Sequence, residues 1–107
     1  MKIVIEDYKW EILFVAKETI QGNDGQTRCN DFQILVRNDL NPTARAIVLT
    51  HEICHAILDT QGRAFQRKFD VEELCEFIAW KRDAINEAVE YIERCLEENP
   101  QYLEKEN

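Results

Sequence analysis

The chain has 107 residues and a mass of 12.7 kDa, enough for one domain with a small core. Hydrophobic residues make up 45% and charged residues 32%, a balance that excludes disorder of the whole chain. The formal net charge is −8. It is uneven: residues 1–69 hold nine acids and nine bases, residues 70–107 twelve acids and four bases.

Such an acidic chain repels phosphate backbones, so no nucleic-acid partner is expected. No run of 18 apolar residues occurs, so no membrane span is expected. The opening MKIVIEDYKW lacks the apolar stretch of a signal peptide, which makes the cytoplasm the expected location. Cys29, Cys54, Cys75 and Cys95 form no CxxC pair. Neither a disulfide framework nor a four-cysteine zinc site is expected, and Cys54, Cys75 and Cys95 read as small core residues in apolar helical patterns.

In chain order, residues 2–5 and 9–16 are rich in β-branched and aromatic residues and predict two strands, with Glu6-Asp7 as a hairpin turn. Residues 21–31 (QGNDGQTRCND) read as a loop by turn chemistry. Residues 32–37 (FQILVR) predict a third strand. Asn41-Pro42 then announces a helix: Asn41 can accept from free N–H groups of the first turn, and Pro42 suits the first helical position. The helix is expected over 42–60, with Gly62 as its C-terminal cap. Its wheel is apolar nearly all round, which predicts a buried, central element.

Residues 63–69 read as a basic connector. Asp70 is the expected N-cap of a further helical region over 70–98, with Glu73 completing a capping box. Val71, Leu74, Ile78, Ile85, Val89, Ile92 and Leu96 supply its apolar spacing; one helix and two separated near Lys81-Arg82-Asp83 fit equally. Residues 100–107 read as a polar tail. The expected fold class is α+β: about three strands, a central helix and one or two C-terminal helices in a single domain.

Both histidines of the chain lie in one pentapeptide, His51-Glu52-Ile53-Cys54-His55. At i and i+4 on a helix their imidazoles share a face and can converge on one metal ion. Glu52, about 100° around the helix, can reach a water on that metal. This is HExxH on a helix, the pattern of zinc peptidases. Zinc is therefore the expected cofactor, with Glu52 as general base. A third protein ligand is needed, and with no histidine left it must be Asp, Glu or Cys.

Glu72, Glu73 and Glu76 are the candidates. Glu72 and Glu76 lie one turn apart; Glu72 is favoured as ligand, with Glu76 holding a ligand histidine's free N–H. Glu76 as the ligand itself is the alternative. Asp59 and Cys54 are less suited. For the oxyanion Tyr91, Arg63, Arg67 and Arg37 stay open. Glu87, Glu90, Glu93, Glu97 and Glu98 read as a solvated acidic face.

The order of short strands, FQILVR, Asn-Pro, then Leu-Thr-His-Glu-Ile-Cys-His-Ala-Ile-Leu and a segment ending Cys-Glu-Phe-Ile-Ala resembles the small zincin-like metallopeptidases of the ImmA/IrrE group, above all their very short phage and mobile-element relatives. The resemblance spans about residues 31–80 and is sharpest at 49–58 and 72–79. It implies a minimal zincin fold: a small curved sheet, an active-site helix beneath it and a second helix that contributes a glutamate. It also implies His51, His55 and a glutamate of the 72–76 cluster as ligands, Glu52 as base, and a protein or peptide substrate. In such folds an edge strand above the active helix pairs with the substrate, and FQILVR is the candidate. The family's Ala-Asn pair near its glutamate is missing here, where only Ile78-Ala79 remains. A zinc-stabilised interaction module without turnover, with both Glu72 and Glu76 on the metal, is the alternative function; a metal-free helical module is a third. Oligomeric state is left open.

Overall fold

The computed structural model describes residues 1–65 and 70–104. β1 (Lys2–Ile5) and β2 (Tyr8–Val15) pair antiparallel, with Ile5 opposite Tyr8. Glu6 and Asp7 make the two-residue turn at φ 46° and 72°, the left-handed pair whose twist matches that of the strands. The expected hairpin is present.

The sheet has four strands rather than about three. β3 (Gly25–Arg28) forms inside the 21–31 segment that reads as loop, and pairs antiparallel with β4 (Gln33–Arg37). β4 also pairs parallel with β2, so the order is β1-β2-β4-β3. FQILVR is therefore an interior strand, not the edge strand expected. The physical reason is in its side chains: Ile34, Leu35 and Val36 are all buried, and a continuous apolar run belongs to a strand covered on both faces. Phe32 is left out of the strand. Its φ of 52° is left-handed, and its ring stacks on Tyr8 and tilts against Trp10.

Alternation sorts the sheet's two faces. Ile3, Ile5, Trp10, Ile12, Phe14, Ile34 and Val36 enter the main core with the helices. Val15 and Leu35 meet Ile20, from a short 3-10 turn over Lys17–Ile20, on the other face.

α1 spans Pro42–Phe65. The Asn41 cap is as expected: its Oδ1 accepts from Ala44 N at 2.8 Å. Asn41→Ala is expected to lower stability by about 1 kcal/mol, read by thermal denaturation. The C-terminal end differs from expectation. α1 continues past Thr60 and through Gly62, so Gly62 is no cap. Gln61, Arg63 and Ala64 are good helix formers, and one interior glycine costs only about 1 kcal/mol. Of the expected connector 63–69, residues 63–65 belong to α1 and 66–69 lie outside the described residues. Leu49, Ile53, Ala56 and Ile57 form the buried stripe of α1, but Ile47, His51 and His55 are exposed. The helix is thus buried on one face and open on the other, not buried all round.

α2 spans Val71–Glu98 without interruption. Asp70 caps it, its Oδ1 accepting from Glu73 N at 2.8 Å. The row facing the core is Phe77, Lys81, Ile85, Ile92 and Leu96. Val71 and Ile78, expected in the core, are exposed. Lys81 keeps its place in that row because its Nζ pairs with Glu6 Oε1 at 2.9 Å, which ties α2 to the β1–β2 turn. Arg45 and Glu93 join the two helices through a two-pronged pair at 3.1 and 2.7 Å, so Glu93 is not part of a solvated face. Residues 100–103 form a 3-10 turn rather than a tail, and Leu103 packs on the core. Residues 105–107 lie outside the described residues. Among the described residues no helix is long and apolar enough to cross a membrane.

Candidate functional site

The exposed face of α1 carries the two histidines. Their Nε2 atoms are 3.1 Å apart and their rings meet edge to face at 4.7 Å. Two nitrogens each about 2.0–2.1 Å from one tetrahedral ion lie roughly 3.3 Å apart. The pair is thus within a few tenths of an ångström of the spacing a shared ion requires. The same approach also suits an N–H of one ring donated to the bare nitrogen of the other.

Glu52 points another way. It is only 6% exposed and is held against β3. The Thr27 hydroxyl lies 2.9 Å from Glu52 Oε1 and 3.1 Å from the Glu52 carbonyl oxygen, and donates its proton to that pair. Thr27 and Gly25 lie on the face of β3 that meets α1. A Cβ at position 25 would stand 2.7 Å from Val48 Cγ1 and 3.0 Å from Glu52 Cγ. The absence of a side chain there lets helix and strand close to this distance.

Between them opens a cleft of about 340 Å³. Asn23, Asp24 and Gly25 form one wall, and Ile47, Val48, His51 and Glu52 the other. The loop wall is braced by Arg37, which bonds Asp24 at 3.0 Å and Asp39 at 2.9 Å. The Arg37 bond holds the Asp39 carboxyl below the usual carboxylate range, and the same contacts raise the guanidinium.

The structure brings His51, Glu52 and His55 to one short stretch of α1 beside this cleft. It does not bring Glu72, Glu73 or Glu76 to them. Glu72 and Glu76 are exposed on the first turns of α2, and among the described residues no three His, Cys, Asp or Glu side chains gather into a metal-holding group. The donors present fit zinc in kind and spacing for two ligands, and among the described residues a third protein donor is not assembled beside them.

Cys54 is no substitute. Burial pushes its thiol up, and it packs against the core, whereas a zinc ligand must be a thiolate. The expected oxyanion donors fare unevenly. Tyr91 lies in a groove against β1, outside the cleft. Arg37 is engaged by its two aspartates. The Arg63 and Arg67 side chains lie outside the described residues.

Thr27, Gly25, Asn23 and Asp24 did not emerge from sequence reasoning. The available signal was faint: a lone β-branched Thr27 two residues after a glycine, in a segment dominated by turn formers. Comparison of the chain with protein-family models, with curated proteins and with solved structures finds no match.

Proposed function

We propose that this chain is a zinc-dependent peptidase of minimal zincin-like architecture that hydrolyses an extended segment of a cytoplasmic protein. The observation that carries this reading is the HExxH stretch of α1: two imidazole nitrogens 3.1 Å apart, and beside them a buried carboxylate oriented by Thr27 at the wall of a cleft. The resemblance to the ImmA/IrrE group points the same way.

In this reading His51 and His55 are two of the ligands. The third would come from the first turns of α2, which must move up to the histidines to supply it: Glu72, with Glu76 bonded to a ligand histidine, or Glu76 itself. Zinc, when bound, polarises the scissile carbonyl and lowers the pKa of its water toward about 7. Glu52 accepts the proton of the attacking water and returns it to the leaving amine nitrogen. The Thr27 hydroxyl, donating to Oε1, leaves Oε2 to carry the proton and holds the Glu52 carboxyl group in one orientation between those two transfers. The edge strand beside the cleft is β3, and the extended substrate pairs with it by β-addition. FQILVR no longer serves, because both its edges are occupied.

Metal analysis of protein purified without chelator tests the reading. About one zinc per chain is expected, and its loss in His55→Ala. Of Glu72→Gln and Glu76→Gln, the one that removes a ligand abolishes tight binding, while the one that removes a supporting hydrogen bond weakens it by about 10–100-fold. Metal-free wild-type protein would overturn the proposal. Thr27→Val keeps the side chain's shape and loses the donor. It is expected to slow hydrolysis of fluorescein-casein by about 10–150-fold, the equivalent of about 1.5–3 kcal/mol for a hydrogen bond to a charged group; Thr27→Ser should preserve the rate.

A second reading is a zinc-stabilised interaction module without turnover. It is favoured by the large exposed apolar side chains Val71, Ile78 and Trp80 along the first half of α2. Hydrolysis that depends on Glu52 decides against it.

A further inference from the structure

A larger groove, of about 570 Å³, runs between β1 and α2. β1 and β3 are the two outer strands of the sheet, so this groove lies at the opposite edge from the histidines. The ladder of β1 alternates. Met1 N donates to Ile12 O at 3.0 Å and Ile12 N to Met1 O at 2.7 Å, and the Glu6-Asp7 turn closes on the Ile5–Tyr8 pair. Bonded pairs therefore fall at Met1, Ile3 and Ile5. The N–H and C=O groups of Lys2 and Val4 point away from β2. The Val4 side chain is 66% exposed.

We propose that this edge binds a second copy of the chain, β1 against β1, antiparallel about a two-fold axis at Ile3. That register pairs Lys2 with the partner's Val4 and Val4 with the partner's Lys2. Each pair exchanges both of its hydrogen bonds, so every outward group of the strand is used. The contact is isologous and closed, and does not propagate into a fibre. The short strand and Lys2 limit open-ended pairing in the same way.

Charge selects this face for a like partner. The chain carries −8, all of it in residues 70–107, so a copy is repelled by most of α2. The groove is two-signed: Lys2, Lys9 and Arg94 stand with Glu6, Glu87 and Glu90. Glu6 is taken by Lys81. Among the described residues no ion pair engages the other five. Arg94 lies one turn beyond Glu90 and two beyond Glu87 on α2. The two-fold reverses the helices, so Arg94 of each copy faces the acids of the other. The interface is small, and half-assembly is expected on the order of 10–100 µM.

Sedimentation velocity of the full chain across the micromolar range tests this. A monomer–dimer transition is expected. Val4→Pro removes an outward N–H but no bond to β2, a position where edge strands tolerate proline. It should stay folded by circular dichroism and remain monomeric. Arg94→Glu should weaken association about 10-fold, and adding Glu87→Arg should restore it. This charge swap carries the test if Val4→Pro does not fold. A chain monomeric throughout the range overturns the proposal, as does a folded Val4→Pro that dimerises like wild type or a charge swap without effect.

Discussion

Glu52→Gln is expected to leave the zinc content unchanged and to lower the hydrolysis of fluorescein-casein by about 10²–10⁴-fold, the contribution of a positioned general base. The substitution isolates proton transfer from packing. Glutamine matches glutamate in size, and its carbonyl oxygen can still accept from Thr27, which lies 2.9 Å from the present carboxylate oxygen. The 6% exposed site stays filled and the histidine face is untouched. What is lost is a group that takes up a proton. His55→Ala is expected to lower metal content and rate together, so the two variants separate holding the ion from moving the proton. A zinc-loaded Glu52→Gln protein as active as wild type would leave Glu52 a structural carboxylate that fastens α1 to β3.

The parts of this site that were legible in the sequence are those fixed by local geometry. Two histidines four residues apart must share a helical face, and Asn41-Pro42 announces the helix that carries them. The Glu6-Asp7 hairpin and the Asp70 cap are local in the same sense. What was not legible depends on partners distant in the chain. β3 has almost no intrinsic strand signal in Gly-Gln-Thr-Arg; it forms because β4, buried on both faces, offers its free edge to it. Lys81 interrupts the apolar row of α2, and its reason is Glu6, 75 residues away. Phe77 and Ile78 both fit helical spacing, and only the packing of α2 decides that Phe77 turns inward. The choice among Glu72, Glu73 and Glu76 as candidate ligands has the same character, since it depends on how α2 lies against α1 rather than on spacing within α2.

The close approach of β3 to α1 leads to the second large effect. Gly25→Ala is expected to lower stability by about 1–3 kcal/mol, the usual penalty for overpacking, and to slow hydrolysis beyond what the lost fold accounts for. The strain is steric rather than conformational. Among the described residues the positive-φ glycine is Gly22, at 81° with open space around it; Gly25 has no such backbone, and without neighbours alanine there would stabilise by about 0.4–1 kcal/mol. The added methyl instead meets Val48 Cγ1 at 2.7 Å, on a β-branched side chain with little rotamer freedom, and the Glu52 side chain at 3.0 and 3.2 Å. Either β3 lifts from α1, and the Thr27 bond with it, or the carboxylate moves. Val48→Ala in the same chain should recover much of the stability, because it removes the nearest contact, and the two substitutions will be non-additive. Activity should recover less, since both contacts to Glu52 persist. Thermal denaturation and casein hydrolysis of the two single variants, the double variant and Gly22→Ala as a backbone-strain control measure this. A Gly25→Ala protein with wild-type stability and rate would mean that the contact between β3 and α1 yields freely and does not position Glu52.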